Sequence, residues 1–414
     1  MAQTGVGAGV RGGAPEEGGG GLSSILYNQR IRGAFFQIAL LVGVVGLILF
    51  IALNTIENLN DLNKKSGFAF LNETAGFKIL TTPGTWAVDF DVGSSTYLDI
   101  FWVGVINTAV VSLLGILAAT VIGFIMGVFR LSSNIILSGF STVYIEVLRN
   151  IPLLLQLFIW YKVVVALFPS KRGEPLSLFF GAVQVDKSGF YSPYPLPQAG
   201  FEIVGVTAAL ALVAWIGLSM YNKRRQAATG QTLPVFWIGL GLLVLAPVVV
   251  FYLVGQPLEW EQPERGRFGF LPSRGMVLVP EMFAVWVALS LYTSAFIAEI
   301  VRAGILAVNK GQTEASSALG LRSSVTLRQV VIPQALRVII PPLTSQYLNL
   351  TKNSSLAVAI AYPDVVSVFA GTALNQVGQE LEMIFMMMLV YLVFSLTLSL
   401  VMNWYNRRIA LVER

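Results

Sequence analysis

The chain has no cysteine and no histidine, and only 12% of its 414 residues are charged. Without thiols there are no disulfides and no cysteine nucleophile, and without imidazole the usual general base and soft-metal ligand are missing. No catalytic residue and no metal-ligand set stands out. No Gly-x-x-x-x-Gly-Lys-Ser/Thr loop occurs, so any nucleotide chemistry must lie on another chain. A formal net charge of +5 is not gathered into a basic run interleaved with aromatics, which argues against nucleic acid as a partner. No convincing repeat relates the two halves, although secondary transporters often show one.

Apolar residues fill the space that charge leaves. They make up 55% of the chain, the mean hydropathy is +0.72, and the charged share falls well below the roughly 25% of soluble domains. The composition is that of an integral membrane protein. Residues 1–33 open with a stretch holding nine Gly in its first 21 positions, too poor in apolar surface to offset chain entropy, and a disordered tail is expected. Ala34–Leu53 is a run of twenty residues, near the length that crosses about 30 Å of hydrocarbon. Arg30 and Arg32 precede it as they would a signal peptide, but it starts late and no small-x-small cleavage site closes it, so it reads as a retained span.

Further apolar stretches lie at 101–129, 151–168, 203–220, 235–255, 277–301, 335–360 and 384–404. Together they predict an all-α polytopic bundle of about eight transmembrane helices. The span at 151–168, preceded by Glu146, Arg149 and Asn150 and containing Pro152, and the one at 335–360, with Pro341-Pro342 and Lys352, read as broken or cavity-lining helices. With the N-terminus inside, and Glu146 and Arg149 counted with the broken span they precede, the cytoplasmic segments hold fourteen basic and four acidic residues, against nine basic and fifteen acidic outside. That asymmetry is what the positive-inside rule requires. It places both termini and residues 302–334 in the cytoplasm.

In that cytoplasmic segment Thr313 is expected to cap a short helix over 313–320, with Glu314 in its first turn and Gly320 as its stop. Ala315, Ala318, Leu319 and Arg322 fall at i, i+3, i+4 and i+7, a small face with a basic edge. Two readings are open: a dock for another protein, or a helix lying on lipid headgroups, where larger apolar residues are usual. Ser345, Gln346, Asn349, Lys352 and Asn353 recur at helical spacing and form a polar stripe, either facing a translocation path or joining helices through hydrogen bonds. Lys352 needs an anion, which a substrate carboxylate or Glu299 would supply. Glu146 with Arg149, and Glu299 with Arg302, are spaced for ion pairs, structural or substrate-binding. Asn150 stands beside Pro152, whose missing N–H frees a backbone carbonyl.

The segment Glu314-Ala315-Ser316, Gly320 and Val330-Val331-Ile332-Pro333 resembles the EAA loop of membrane subunits of binding-protein-dependent ABC importers. In that loop Glu-Ala-Ala, three residues, Gly, nine residues and a hydrophobic-x-hydrophobic-Pro follow in order, and the only departure in the opening triplet is Ser316 for Ala. Arg149-Asn150-Ile151-Pro152, Phe296 to Ile305, and Lys352-Asn353-Ser354-Ser355-Leu356 resemble segments of the polar amino-acid uptake branch. The chain is most similar to the longer permeases of broad-range L-amino-acid importers.

The resemblance covers 101–168 and 277–411. It implies a type I permease core divided between those stretches, with an extra span and periplasmic loop at 34–100 and an insertion of two spans at 169–275. It also implies a site for ATPase coupling at Glu314, Ala315, Ala318, Leu319, Gly320, Arg322 and Pro333, and path residues among Asn150, Glu299, Gln346, Asn349, Lys352 and Asn353. The implied partners are a second permease subunit, two cytosolic ATP-binding subunits carrying ATP and Mg, and a periplasmic amino-acid-binding protein, in the lipid of the bacterial inner membrane. An ion-coupled secondary transporter and a non-transporting scaffold are the competing classes.

Overall fold

The computed structural model of the protein describes residues 29–61, 67–267, 269–271 and 275–409. Two units are distinguished, one ending at Gly67 and one running from Phe68 onward. In the first, helix α1 (Gln29–Asp61) contains the expected first span and begins inside the segment expected as a tail; residues 1–28 lie outside the described residues.

In the second unit a short helix α2 (Pro83–Ala87) precedes α3 (Tyr97–Arg130), α4 (Ile135–Asn150) and α5 (Leu153–Leu167). The pair α6 (Phe201–Thr229) and α7 (Val235–Leu253) follows, then α8 (Pro280–Leu306) and α9 (Lys310–Ala318). After them come α10 (Ser323–Thr326), α11 (Ile332–Asn353), α12 (Leu374–Val377) and α13 (Glu380–Ile409). Helix α3 starts four residues before the apolar run because Thr96 and Asp99 form a capping box: the Thr96 hydroxyl accepts from the Asp99 amide and the Asp99 carboxylate from the Thr96 amide.

Six helices among the described residues are long and apolar enough to cross a membrane, in α1, α3, α6, α7, α8 and α13. Helices α4 and α5, bent by 110° at Ile151-Pro152, make a seventh if counted as one span. The expected third span is therefore only the second arm of a broken element. The first arm carries Glu146, Arg149 and Asn150 and escapes a hydropathy reading. The seventh expected span, 335–360, is α11 followed by a 3-10 segment Ser354–Ile360. Arg337, Lys352 and the polar stripe hold it below the apolarity of the others.

Among the described residues, eight short strands, which hydropathy gives no sign of, lie in the 169–275 insertion and just after it. β1 (Leu176–Leu178), β2 (Val183–Asp186), β3 (Gly189–Ser192) and β8 (Met276–Leu278) make an antiparallel sheet in the order β1-β2-β3-β8. β4 (Tyr194–Pro197) pairs with β5 (Leu258–Glu261), and β6 (Arg265–Gly266) with β7 (Gly269–Phe270). The sheet is fastened to the start of α8 by an aromatic chain, Phe168 to Phe190 at 5.0 Å and Phe190 to Phe283 at 4.9 Å between ring centroids. It caps the end of the bundle where α3 and α8 begin.

Helix α8 is the axis of the core, packing against α3, α4, α5 and α11, whereas α6 and α7 pack chiefly on each other. The α3–α8 seam depends on small residues. A Cβ added at Gly123 would lie 2.6 Å from Ile297 Cβ and 2.9 Å from the Ser294 carbonyl oxygen. Only glycine lets the two backbones approach this closely, the means by which helices associate where lipid removes the hydrophobic drive.

Gly123→Ala is therefore expected to destabilise the fold by about 1–3 kcal/mol through overpacking. Gly139→Ala, where an added Cβ meets nothing within 4 Å, should be neutral or slightly stabilising. Thermal unfolding of the two variants in detergent checks the contrast.

Candidate coupling and translocation site

The short helix expected at 313–320 is α9, and it begins earlier. Asn309 is its N-cap, its side-chain Oδ1 accepting from the Gly311 amide at 2.8 Å, so Thr313 lies inside the helix and Glu314 beyond the first turn. Gly320, at φ +69°, stops the helix as expected. Glu314, Ala315, Ala318 and Arg322 are exposed, and so is Leu319, at 79%. The buried member is Ser316, whose hydroxyl donates to the Gln312 carbonyl at 2.7 Å. Gln312 in turn accepts from Gln334 of α11 at 3.3 Å. The one departure from the Glu-Ala-Ala triplet thus sits on the inward side and leaves the outward face unchanged. Beyond Gly320 the chain passes through α10 and a π-helical turn, Leu327–Val331, into α11 without a break in helical backbone, and Pro333, which has no N–H to give, follows directly on the π-helical turn.

Beside this segment, charges from three helices meet. Glu299 of α8 accepts from Arg302 at 2.6 and 3.0 Å on one oxygen and from Arg130, the last residue of α3, at 2.5 Å on the other. The expected Glu299–Arg302 pair is formed. The expected Glu146–Arg149 pair is not: Glu146 faces Arg130 at 3.4 Å, and the Arg149 guanidinium lies 5.3 Å from the Phe296 ring centroid. With both Glu299 oxygens engaged, Lys352 has no call on that carboxylate, and no bond joins the two.

Lys352 instead lines an open cavity of about 600 Å³ between α11 and α13, with Ser355, Tyr391 and Ser395 among its polar neighbours and Met387 and Met388 on its apolar side. The stripe leading to it is real. Ser345, Asn349 and Lys352 are exposed, Gln346 and Asn353 half-buried, and Leu343, Tyr347 and Leu350 turn into the core. Asn150 is exposed, and its amide donates to the Glu146 carbonyl at 2.7 Å.

Pro152 leaves the Leu148 carbonyl without its helical donor, but the carbonyl is not free for a ligand. The buried Gln156 side chain donates to Leu148 O at 2.8 Å and to Ile151 O at 2.9 Å. Sequence reasoning missed Gln156, whose only signal is a polar side chain one turn after a proline. It also missed Asn107, fully buried in α3. Asn107 donates to Thr82 Oγ1 and the Pro363 carbonyl and accepts from the Gly84 amide, all within 2.9 Å. Those bonds bind the loop before α3 to the chain leaving α11.

Gln156→Leu should cost about 1–3 kcal/mol by leaving two part-buried carbonyls without this donor, whereas Asn150→Ala should cost about 1 kcal/mol or less. Unfolding in detergent measures both.

The arrangement has a counterpart among known proteins. The family described as binding-protein-dependent transport system inner membrane component matches residues 224–411. The chain is 50% identical over 387 residues to the putative amino-acid ABC transporter permease protein YhdX of Escherichia coli, covering 94% of this chain and 96% of that one. It is 45% identical to the general L-amino acid transport system permease protein AapQ of Rhizobium johnstonii, over 94% and 95% of the two chains. It is 38% identical to the glutamate/glutamine/aspartate/asparagine transport system permease protein BztB of Rhodobacter capsulatus, over 97% and 99%. Matches of this extent take in the 169–275 insertion as well as the helical core. The chain belongs to the amino-acid ABC transporter permeases, the membrane components of binding-protein-dependent transport systems.

Proposed function

We propose that the chain is one of two permease subunits of an ATP-driven importer that carries amino acids across a bacterial inner membrane, with both termini cytoplasmic. The observation that carries this reading is α9, a short helix whose outward face, Glu314, Ala315, Ala318 and Leu319, is unpartnered in this chain. Its spacing to Gly320 and Pro333 is that of an EAA loop. The face is small enough for close approach, and the exposed Leu319 offers an apolar contact that a groove on a cytosolic ATP-binding subunit would cover. Two such subunits hold ATP and Mg, a periplasmic binding protein delivers the substrate, and a second, different permease chain completes the path.

Closure of the ATPases pushes on α9, and the displacement passes to α8 at one end and, through α10 and the π-helical turn, to α11 at the other. Helix α11 bears the polar stripe and ends at Lys352. A substrate α-carboxylate meets the Lys352 ammonium at the wall between α11 and α13. The breadth of acceptance follows the relatives, whose names cover general L-amino acids and the acids and amides of four carbons and five.

The test is uptake and ATP hydrolysis in proteoliposomes holding this chain with its companion permease, the ATP-binding subunits and the binding protein. Glu314→Lys should abolish uptake while leaving membrane insertion intact, and undiminished uptake would remove the coupling role. Lys352→Gln should weaken substrate uptake by about tenfold, the worth of one charge-assisted hydrogen bond. Gradient-driven uptake by this chain alone would overturn the importer reading.

A further inference from the structure

A buried acid touches the wall of the Lys352 cavity. Asp364 lies in the link between the 3-10 segment Ser354–Ile360 and a π-helical segment, Ser367–Ala373, outside the candidate spans, and it is fully buried. The backbone on either side of it is bonded to α3. The Pro363 carbonyl accepts from Asn107 at 2.8 Å, and the Val365 amide donates to the Thr108 hydroxyl at 3.1 Å. One carboxyl oxygen of Asp364 accepts from the Ser367 amide at 2.8 Å, the other from the Tyr391 hydroxyl of α13 at 3.4 Å. Tyr391 and Val366 both line the Lys352 cavity, so Tyr391 bonds the acid and borders the cavity at once.

No cation pairs with Asp364 among the described residues. The titratable groups that face it are two phenols, Tyr362 in the same link and Tyr391 on α13. Helix α3 presents Asn107 and Thr108, which do not titrate. A carboxylate buried without a cation is costly to keep ionised. A charge-assisted O–H···O bond is also shorter, about 2.6 Å, than the contact Tyr391 makes. Burial outweighs the backbone amides that favour the charged form and pushes the carboxyl up to about 7. Asp364 is therefore neutral on the acid side of that value and ionises as pH rises through it.

Among the residues bordering the cavity only Lys352 is charged. We infer that Asp364 sets how strongly this cavity attracts a carboxylate: neutral, it leaves the Lys352 ammonium uncompensated for a substrate, and ionised, it adds an anion that competes for the ammonium. The low-dielectric surroundings leave that competition poorly screened. The proton released goes to water in the cavity, with the Tyr391 hydroxyl as the bonded link. Asp364→Asn keeps the shape of the neutral group and cannot ionise. The inference rests on the proposed role of Lys352 in the path.

The experiment treats the purified full chain in detergent with a small amine-acetylating reagent at about pH 6 and about pH 8 and follows each lysine by mass spectrometry. Ionised Asp364 holds Lys352 in its unreactive ammonium form. At the higher pH Lys352 should therefore label about tenfold more slowly in the wild-type chain than in Asp364→Asn, whereas at the lower pH the two should agree. Lys223, near the end of α6, should label equally in both. Within the wild-type chain alone, Lys352 labelling relative to Lys223 should fall from the lower pH to the higher, a reading that does not depend on the variant folding. In proteoliposomes holding the complete assembly, subsaturating uptake of L-glutamine or L-glutamate by the wild type relative to Asp364→Asn should fall about tenfold over the same interval. The companion subunits affect both chains alike, and in a Lys352→Gln background the ratio should stay flat. Lys352 labelling that ignores Asp364 at both pH values, or a flat uptake ratio with Lys352 present, would overturn the inference. Labelling that follows Asp364 in an assembly that moves no amino acid at either pH would remove the transport reading, and with it the role in attracting substrate.

Discussion

The Glu299 carboxylate is the point on which the arrangement near α9 depends. One oxygen takes two bonds from Arg302 and the other a bond from Arg130, so a single acid on α8 ties down the last residue of α3. Arg130 also faces Glu146 of α4. A buried or half-buried ion pair is a weak source of net stability, but breaking one by removing a partner is costly, and this favours a fixed register. Helix ends that would otherwise splay are held together less than two turns before α8 passes into α9. Above them the Gly123 seam keeps α3 and α8 in backbone contact, and at the other end of α3 the Asn107 bonds fix the chain leaving α11. Under the proposed coupling, a push on α9 would meet a braced set of helices and be passed along them, since packed cores shift between discrete arrangements instead of deforming continuously.

How much of this was legible in the sequence varies with the range of the interactions involved. Helices α3, α8 and α13 announce themselves because long apolar runs need no partner to be recognised. Gly320 does so because a helix stop is local. The start of α9 was misplaced by one turn, Asn309 and Thr313 both being competent caps, and only the hydrogen bond to Gly311 decides between them. Helix α4 was passed over because Glu146, Arg149 and Asn150 lower its hydropathy, and the partners of the first two, Arg130 of α3 and Phe296 of α8, are distant in sequence. The strands were invisible because each is only two to four residues long, and two of the pairings, β3 with β8 and β4 with β5, are distant, Ser192 meeting Met276.

The site shows the same division. Glu299 with Arg302 is a contact three residues apart and was foreseen, whereas Arg130, which completes it, comes from 169 positions away. The pairing of Lys352 with Glu299 was proposed from charge alone, and geometry gives each a different environment. Pro152 does open the helix, yet the carbonyl it frees is closed again by Gln156, so the bend is structural. The insertion, opaque to hydropathy, builds the cap over the start of α8.

The proposed contact of α9 with an ATPase is directly measurable, because the chain has no native cysteine. Leu319→Cys introduces a single thiol on the exposed face. A thiol-anchored photocrosslinker at that position, in membranes containing the whole assembly, should capture the ATP-binding subunit and change its yield when ATP is added. Capture of lipid alone, with and without ATP, would contradict the account.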